Sequence, residues 1–274
     1  MDYKEMIGFG VAGNVTGHLD QAGEAGGFQK SKGGEEDAPK GIFPFYVPVK
    51  TGKCTEVYPF SSNTITYPLV GENLQIEPEL AIICRIQYEN QLVKSLTPIS
   101  FGAFNDCSIR KLEADKLSEK KNWGPNSKGI SDTIIEIDKF SEGGVLDDYN
   151  IVAYLLRDGI LHPYGCNSPI SKYSYVYEEL LVWIVSKMNT QVDEGPLECI
   201  SDLIRQAKYP EYGIIGIGAT NYTDFGKNCF LKPDDEGFVV VYSTLHYDTE
   251  KIETLLKSGT FPKENISILH QKVL

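Results

Sequence analysis

Basic residues are in deficit. The chain of 274 residues has 26 Lys and Arg against 38 Asp and Glu, a formal charge of −12. General nucleic-acid binding needs a basic face that releases counterions, and docking on an anionic membrane needs the same, so neither partner is expected. Long apolar runs are also missing, and none approaches the roughly 20 residues of a membrane span. The opening Met1-Asp2-Tyr3-Lys4-Glu5-Met6 is too polar for a secretory signal. No Cys-x-x-Cys occurs. The six cysteines (Cys54, Cys84, Cys107, Cys166, Cys199 and Cys229) are scattered, as expected of reduced, mostly buried thiols in a cytoplasmic protein. Histidines number four, and His162, His246 and His270 have no neighbour at metal-ligand spacing.

Phosphate-binding loops are wanting as well. Gly52-Lys53-Cys54 lacks the upstream glycine and the following Ser or Thr of a phosphate loop. Gly8-Phe9-Gly10-Val11-Ala12-Gly13 spells G-x-G-x-x-G, but its context does not suit a dinucleotide. Mostly polar residues precede it, so a buried parallel strand is not expected. Gly13, Gly17 and Gly23 follow where a helix should hold the pyrophosphate, and no strand ending in an acid appears near position 30. With Gly23, Gly26, Gly27, Gly33 and Gly34, the whole stretch 7–41 reads as a long loop, an arm or a lid.

From Gly41 onward the chain is rich in short strand-like runs. These are residues 42–49, Thr64–Pro68, Glu77–Ile86, Ile99–Phe104, Thr133–Ile137, Ile151–Arg157, Gly213–Gly218 and Phe238–Ser243, separated by turn residues. Helical spacing of apolar residues predicts helices over Ser174–Met188, Pro196–Gln206 and Thr249–Ser258, the last stopped by Gly259. Tyr173, Tyr175 and Tyr177 read as helix packing or a subunit contact. Helices do not alternate with strands, so the expected fold is one β-rich α+β domain with a few surface helices.

Chemistry concentrates in two places. In Ile76-Glu77-Pro78-Glu79-Leu80-Ala81, side chains of a strand alternate, so Glu77 and Glu79 face one way roughly 7 Å apart along the backbone. Such a pair is either a solvated strand end or two ligands of a hard divalent cation, and the second reading requires a third oxygen ligand. Asn105-Asp106-Cys107-Ser108-Ile109-Arg110 follows an apolar run and offers Asp106, whose partner is either Arg110 or a metal shared with the two glutamates.

The order Glu77-Pro78-Glu79-Leu80-Ala81, Asn105-Asp106-Cys107-Ser108-Ile109-Arg110, Trp123 and Lys128-Gly129-Ile130-Ser131-Asp132 resembles the fumarylacetoacetate hydrolase superfamily. Gly8 to His18 is similar to that family's Gly-x-Asn-Tyr-x-x-His opening, Gly41-Ile42-Phe43-Pro44 to its Pro-x-x-Phe strand, and Ile214 to Thr220 to its Gly-Asp-x-Ile-x-Thr segment. The resemblance implies a single-domain mixed β-roll or sandwich, a homodimer, and Mg²⁺, or else Mn²⁺ or Ca²⁺, on Glu77, Glu79 and Asp106. It further implies that Lys128 faces the substrate, that His18 lies on a lid as the base, and that Arg110 and Thr220 touch the substrate. Members act on small oxo-acids. The expected activity is hydrolysis of a C–C bond in an acylpyruvate or β-diketo acid through a metal-stabilised enolate. Oxaloacetate-type decarboxylation or isomerisation on the same site is the alternative, and a non-catalytic metal or small-molecule binder is a third reading. Two departures stand out. The family's His-x-x-Glu is His18-Leu19-Asp20-Gln21 here, leaving Asp20 or Glu24 as substitutes to orient the imidazole. The Asp-x-x-Gln that often follows the Arg is replaced by Lys111-Leu112-Glu113.

Overall fold

The computed structural model describes residues 2–18, 21, 38–70, 72–111 and 113–274. Most of the glycine-rich stretch, with Asp20, Glu24 and Gly23 to Gly34, lies outside the described residues, as does Leu112. The strands, in chain order, are β1 (Ile7–Ala12), β2 (Gly41–Tyr46), β3 (Phe60–Ser61), β4 (Thr64–Ile65), β5 (Glu72–Gln75), β6 (Pro78–Glu89), β7 (Leu92–Asn105), β8 (Ser108–Lys111), β9 (Lys128–Ile130) and β10 (Ile135–Glu136). They continue with β11 (Tyr149–Arg157), β12 (Ile160–Pro169), β13 (Tyr212–Ala219), β14 (Glu236–Ser243) and β15 (Ile266–Val273). The helices are α1 (Leu117–Lys121), α2 (Tyr177–Thr190), α3 (Ile200–Gln206), α4 (Asp224–Asn228) and α5 (Thr249–Ser258).

Two sheets carry the molecule. The first runs β2-β1-β13-β6-β7-β9-β3, with β10 on β7, and the second runs β12-β11-β14-β15-β4. Their facing side chains share one core: Phe9, Leu80, Ile82, Phe101, Ala103 and Ile215 from the first meet Ile151, Ala153, Val239, Val241 and Leu269 from the second. The outer face of the first sheet is covered too, by Phe43, Phe45, Phe60 and Leu117 around Ala81, Ile83 and Phe104. Burial on both faces explains why Leu80 to Cys84 is an unbroken apolar run rather than an alternating one. The outer face of the second sheet is covered by α5, whose Ile252 and Leu256 lie on Tyr154, Phe238 and Val240.

The structure corrects the loop reading of residues 7–12. They form β1, buried throughout, parallel to β13 (Ile7 opposite Gly213) and antiparallel to β2. The glycines are there for packing: a Cβ on Gly8 would collide with the Phe45 ring, and one on Gly10 with the Phe43 ring. Those rings fill the space a pyrophosphate would need, so the G-x-G-x-x-G pattern is a close strand approach. Two helices start later than their spacing suggests. The Asn14 side chain takes up the backbone N–H and C=O of Tyr175, and α2 begins only at Tyr177. Glu194 and Leu197 exchange both backbone hydrogen bonds, so α3 begins at Ile200. None of the six cysteines is paired. Among the described residues, no helix is long and apolar enough to cross a membrane.

Candidate functional site

The site forms where the start of β6 meets the ends of β7 and β13. Glu79 lies opposite Phe104 of β7 on one side and Ala219 of β13 on the other. Just ahead of that pair β13 bulges, between Gly216 and Ala219, and Gly218 takes a positive φ of 119°. The bulge aims the Gly218 N–H at Glu79 Oε2, 3.2 Å away. Tyr173 Oη donates to the Gly218 carbonyl and Asn14 Nδ2 to the Ile217 carbonyl, fixing the bulge from outside. Glu77 sits just ahead of β6. Its N–H donates to Asn105 Oδ1, and its carbonyl accepts from the Asp106 N–H. The Asn-Asp pair at the end of β7 thus clamps the backbone that presents the first glutamate.

Glu77, Glu79 and Asp106 are all buried, and each brings one carboxylate oxygen within 4.8 Å of the others. This oxygen-only donor set can hold a metal ion and matches a hard divalent cation. Without an ion the acids are held by basic side chains: Arg110 and Lys121 meet Glu77 Oε1, and Lys128 meets Asp106 Oδ1. The charges are far apart in character. Burial alone would raise the Glu77 carboxyl, but Arg110 and Lys121 overcome it and hold Glu77 well below the usual carboxylate range. Burial and the Asp106 carboxylate push Glu79 well above that range.

Three cations meet the acids. Arg110 Nη2 lies 2.9 Å from Glu77 Oε1, donates to Tyr222 Oη, and its Nε donates to Gln75 Oε1. Lys128 is fully buried. Its Nζ donates to the Cys107 carbonyl at 2.5 Å and lies 3.1 Å from Asp106 Oδ1, under the Trp123 ring. Lys121, the last residue of α1, places Nζ 2.7 Å from Glu77 Oε1 and 2.5 Å from Asp106 Oδ2. A cavity of about 20 Å³, room for a single water, is lined by these carboxylates with His18, Phe43, Asn14 and Lys121.

His18 is buried beside Tyr222. Its Nδ1 lies 2.9 Å from the Thr220 carbonyl, which only accepts, so Nδ1 carries the proton and Nε2 the lone pair. Nε2 has no hydrogen-bond partner and sits 3.8 Å from Glu77 Oε2.

The structure therefore brings His18, Glu77, Glu79, Asp106 and Arg110 together. Arg110 braces Glu77. Lys128 stands behind Asp106 and does not line the cavity, whereas Lys121 does. Thr220 contributes its backbone carbonyl to His18, with Oγ1 buried and without a hydrogen-bond partner. The carbonyl orients the imidazole; Gln21 is committed elsewhere, its Oε1 accepting from the Tyr222 N–H. Lys121 had no sequence signal, because Glu119-Lys120-Lys121 has the composition of a solvated helix end.

A family model described as "Family of unknown function (DUF5718)" matches residues 24–273. No curated protein matches the chain in sequence. Solved structures share its fold. Cg1458, crystallised with an inhibitor, aligns with a TM-score of 0.55 at 17% identity, over 98% of this chain and 76% of that one. A proposed fumarylacetoacetate isomerase/hydrolase from Oleispira antarctica aligns at 0.52 and 10% identity, over 98% and 93%. For 5-carboxymethyl-2-hydroxymuconate delta-isomerase from Mycobacterium smegmatis the values are 0.51 and 14%, over 98% and 78%.

Proposed function

The chain belongs to the DUF5718 family and has the fold of the fumarylacetoacetate hydrolase superfamily, and from its site we propose that it is an enzyme hydrolysing a C–C bond beside a carbonyl in a small oxo-acid. Glu77, Glu79 and Asp106 would hold a divalent cation, Mg²⁺ first, which when bound polarises the carbonyl to be attacked. The observation that carries the reading is His18 Nε2, a buried ring nitrogen without a hydrogen-bond partner, 3.8 Å from Glu77 Oε2 in a residue that lines the carboxylate cavity.

The chain's own groups do the remaining work. The Thr220 carbonyl holds the imidazole in the tautomer that accepts a proton at Nε2. Glu77 Oε2, 3.8 Å away, stabilises the imidazolium that results. Arg110 and Tyr222 keep Glu77 in place. Lys128 braces Asp106 from behind. Decarboxylation or isomerisation on the same site is the second reading; Gln21 favours it, because a carboxylate that would strengthen the base is replaced by a neutral amide bonded to Tyr222. A homodimer and a cytoplasmic setting belong to the same proposal, and light scattering in solution reads the first.

The test is turnover of acylpyruvates, β-diketo acids and oxaloacetate with Mg²⁺ or Mn²⁺, beside melting curves with and without the ion. Wild type turns over a member of the panel above the free-metal background. Glu79→Gln loses the metal-dependent rise in melting temperature. His18→Gln keeps that rise and loses about 10²–10⁴ in rate. Full decarboxylation by His18→Gln favours the second reading. A metal response in wild type with no turnover of any substrate leaves a non-catalytic binder.

A further inference from the structure

We infer that Lys121 is the resident cation of the carboxylate cage, and that a divalent ion enters only by displacing its ammonium. The inference rests on the cation part of the proposed function and adds to it a residue of the chain that competes for the same oxygens.

Three observations carry it. The first is position. Nζ contacts Glu77 Oε1 at 2.7 Å and Asp106 Oδ2 at 2.5 Å, and these belong to two of the three carboxylates that converge. A hard divalent ion sits about 2.0–2.6 Å from carboxylate oxygens. An ion bound to those carboxylates would share one small buried space with the ammonium, and two like charges there repel without water to screen them.

The second is charge. Among the described residues Arg110 and Lys121 sit on Glu77, and Lys121 and Lys128 on Asp106, so Lys121 is the cation these two acids share. A divalent ion added to this set brings two further positive charges, and exchanging it for the ammonium brings only one. Of the three cations, Lys121 is the one that lines the cavity, its Nζ also 3.5 Å from the Asp106 carbonyl and over the Phe43 ring. Lys128 is tied to the Cys107 carbonyl behind Asp106, and Arg110 is anchored by Gln75 and Tyr222. Lys121 ends the five-residue α1 on a long unbranched side chain.

The third is room. With Lys121 in place the cavity of about 20 Å³ admits one water and no oxo-acid. Removing the lysine side chain from the cavity wall opens the space that both ion and substrate need. The folded chain without metal thus keeps its own lysine against these carboxylates, and metal loading and opening of the site become one event.

The experiment titrates Mn²⁺ into wild type and Lys121→Met by calorimetry and follows melting temperature in parallel. Lys121→Met is expected to bind Mn²⁺ at least tenfold more tightly than wild type. It should melt below wild type in chelator and recover more of its melting temperature with Mn²⁺. Lys121→Gln, which keeps a polar head without the charge, reads the same way if the methionine variant does not fold. Equal or weaker Mn²⁺ binding by the variants, with wild type binding normally, overturns the inference and leaves the cation reading standing. No Mn²⁺ binding by wild type or variants sinks both.

Discussion

Gly216 sets where the Glu79 carboxyl can stand. A Cβ there would collide with Glu79 Oε2 and press on the Phe104 ring. Gly216→Ala is therefore expected to cost about 1–3 kcal/mol of stability, the usual range for overpacking a filled core. It should also abolish the Mn²⁺-dependent rise in melting temperature, because the carboxylate cannot keep its place; paired melts with chelator and with Mn²⁺ measure both effects. At this scale the acids were legible in the sequence. Glu77, Glu79 and Asp106 occur in a spaced order whose chemistry needs all three. Lys121 was not legible. Its neighbour Glu119 is exposed while Lys121 is buried, and the difference arises from how α1 packs onto β2 and β8 rather than from any local pattern. The role of Thr220 was equally hidden, since a backbone carbonyl leaves no mark on residue type.

At the scale of elements, α1 is tied to the segment ahead of α3 by a short hydrogen bond from Ser118 Oγ to the buried Glu198 carboxylate. Burial pushes Glu198 up to about 7 from an ordinary 4.5. Between these values the folded chain keeps a proton that the unfolded chain has lost. Stability contributed by this group therefore falls as pH rises from about 4.5 to 7 and changes no further above that. The slope reaches about 1.4 kcal/mol per pH unit within the window. Urea unfolding of Glu198→Gln beside wild type at pH 5 and pH 8 checks the sign: the wild type should lose more between the two. Helix α5 could be read to the residue, because Asp248 caps the Lys251 N–H and Gly259 takes the left-handed turn. Strand β15 could not. Its buried Ser267 and Gln271 break the apolar alternation, and their reason is distant: Ser267 Oγ accepts from the Ala103 N–H, and Gln271 reaches Asn105, Ser61 and Thr64. Strand β1 was hidden because its glycines have meaning only against the Phe43 and Phe45 rings.

For the molecule as a whole, a core that closes over both faces of the first sheet controls its thiols. Cys84 and Cys107 are fully buried, and burial pushes the Cys107 thiol up to about 12 and Cys84 higher still. A thiol reagent at pH 8 is expected to leave both unlabelled in the native protein and to label both in denaturant, as peptide mass mapping would read. Labelling of either in the native state would mean that the sandwich opens. The same architecture separates two parts of the site along the chain. Both glutamates, Asp106, Arg110, Lys121 and Lys128 come from one stretch, organised by the β6–β7 hairpin with its tight turn at Asn90 and Gln91. His18 and Thr220 come from distant parts of the chain, and the pairing of β1 with β13, with the Asn14 bond to the Ile217 carbonyl, brings them together. Local pairings form before distant ones because they close shorter loops. A ribosome-bound or half-refolded chain would thus gather its three carboxylates early, with His18 joining them only once β1 has found β13.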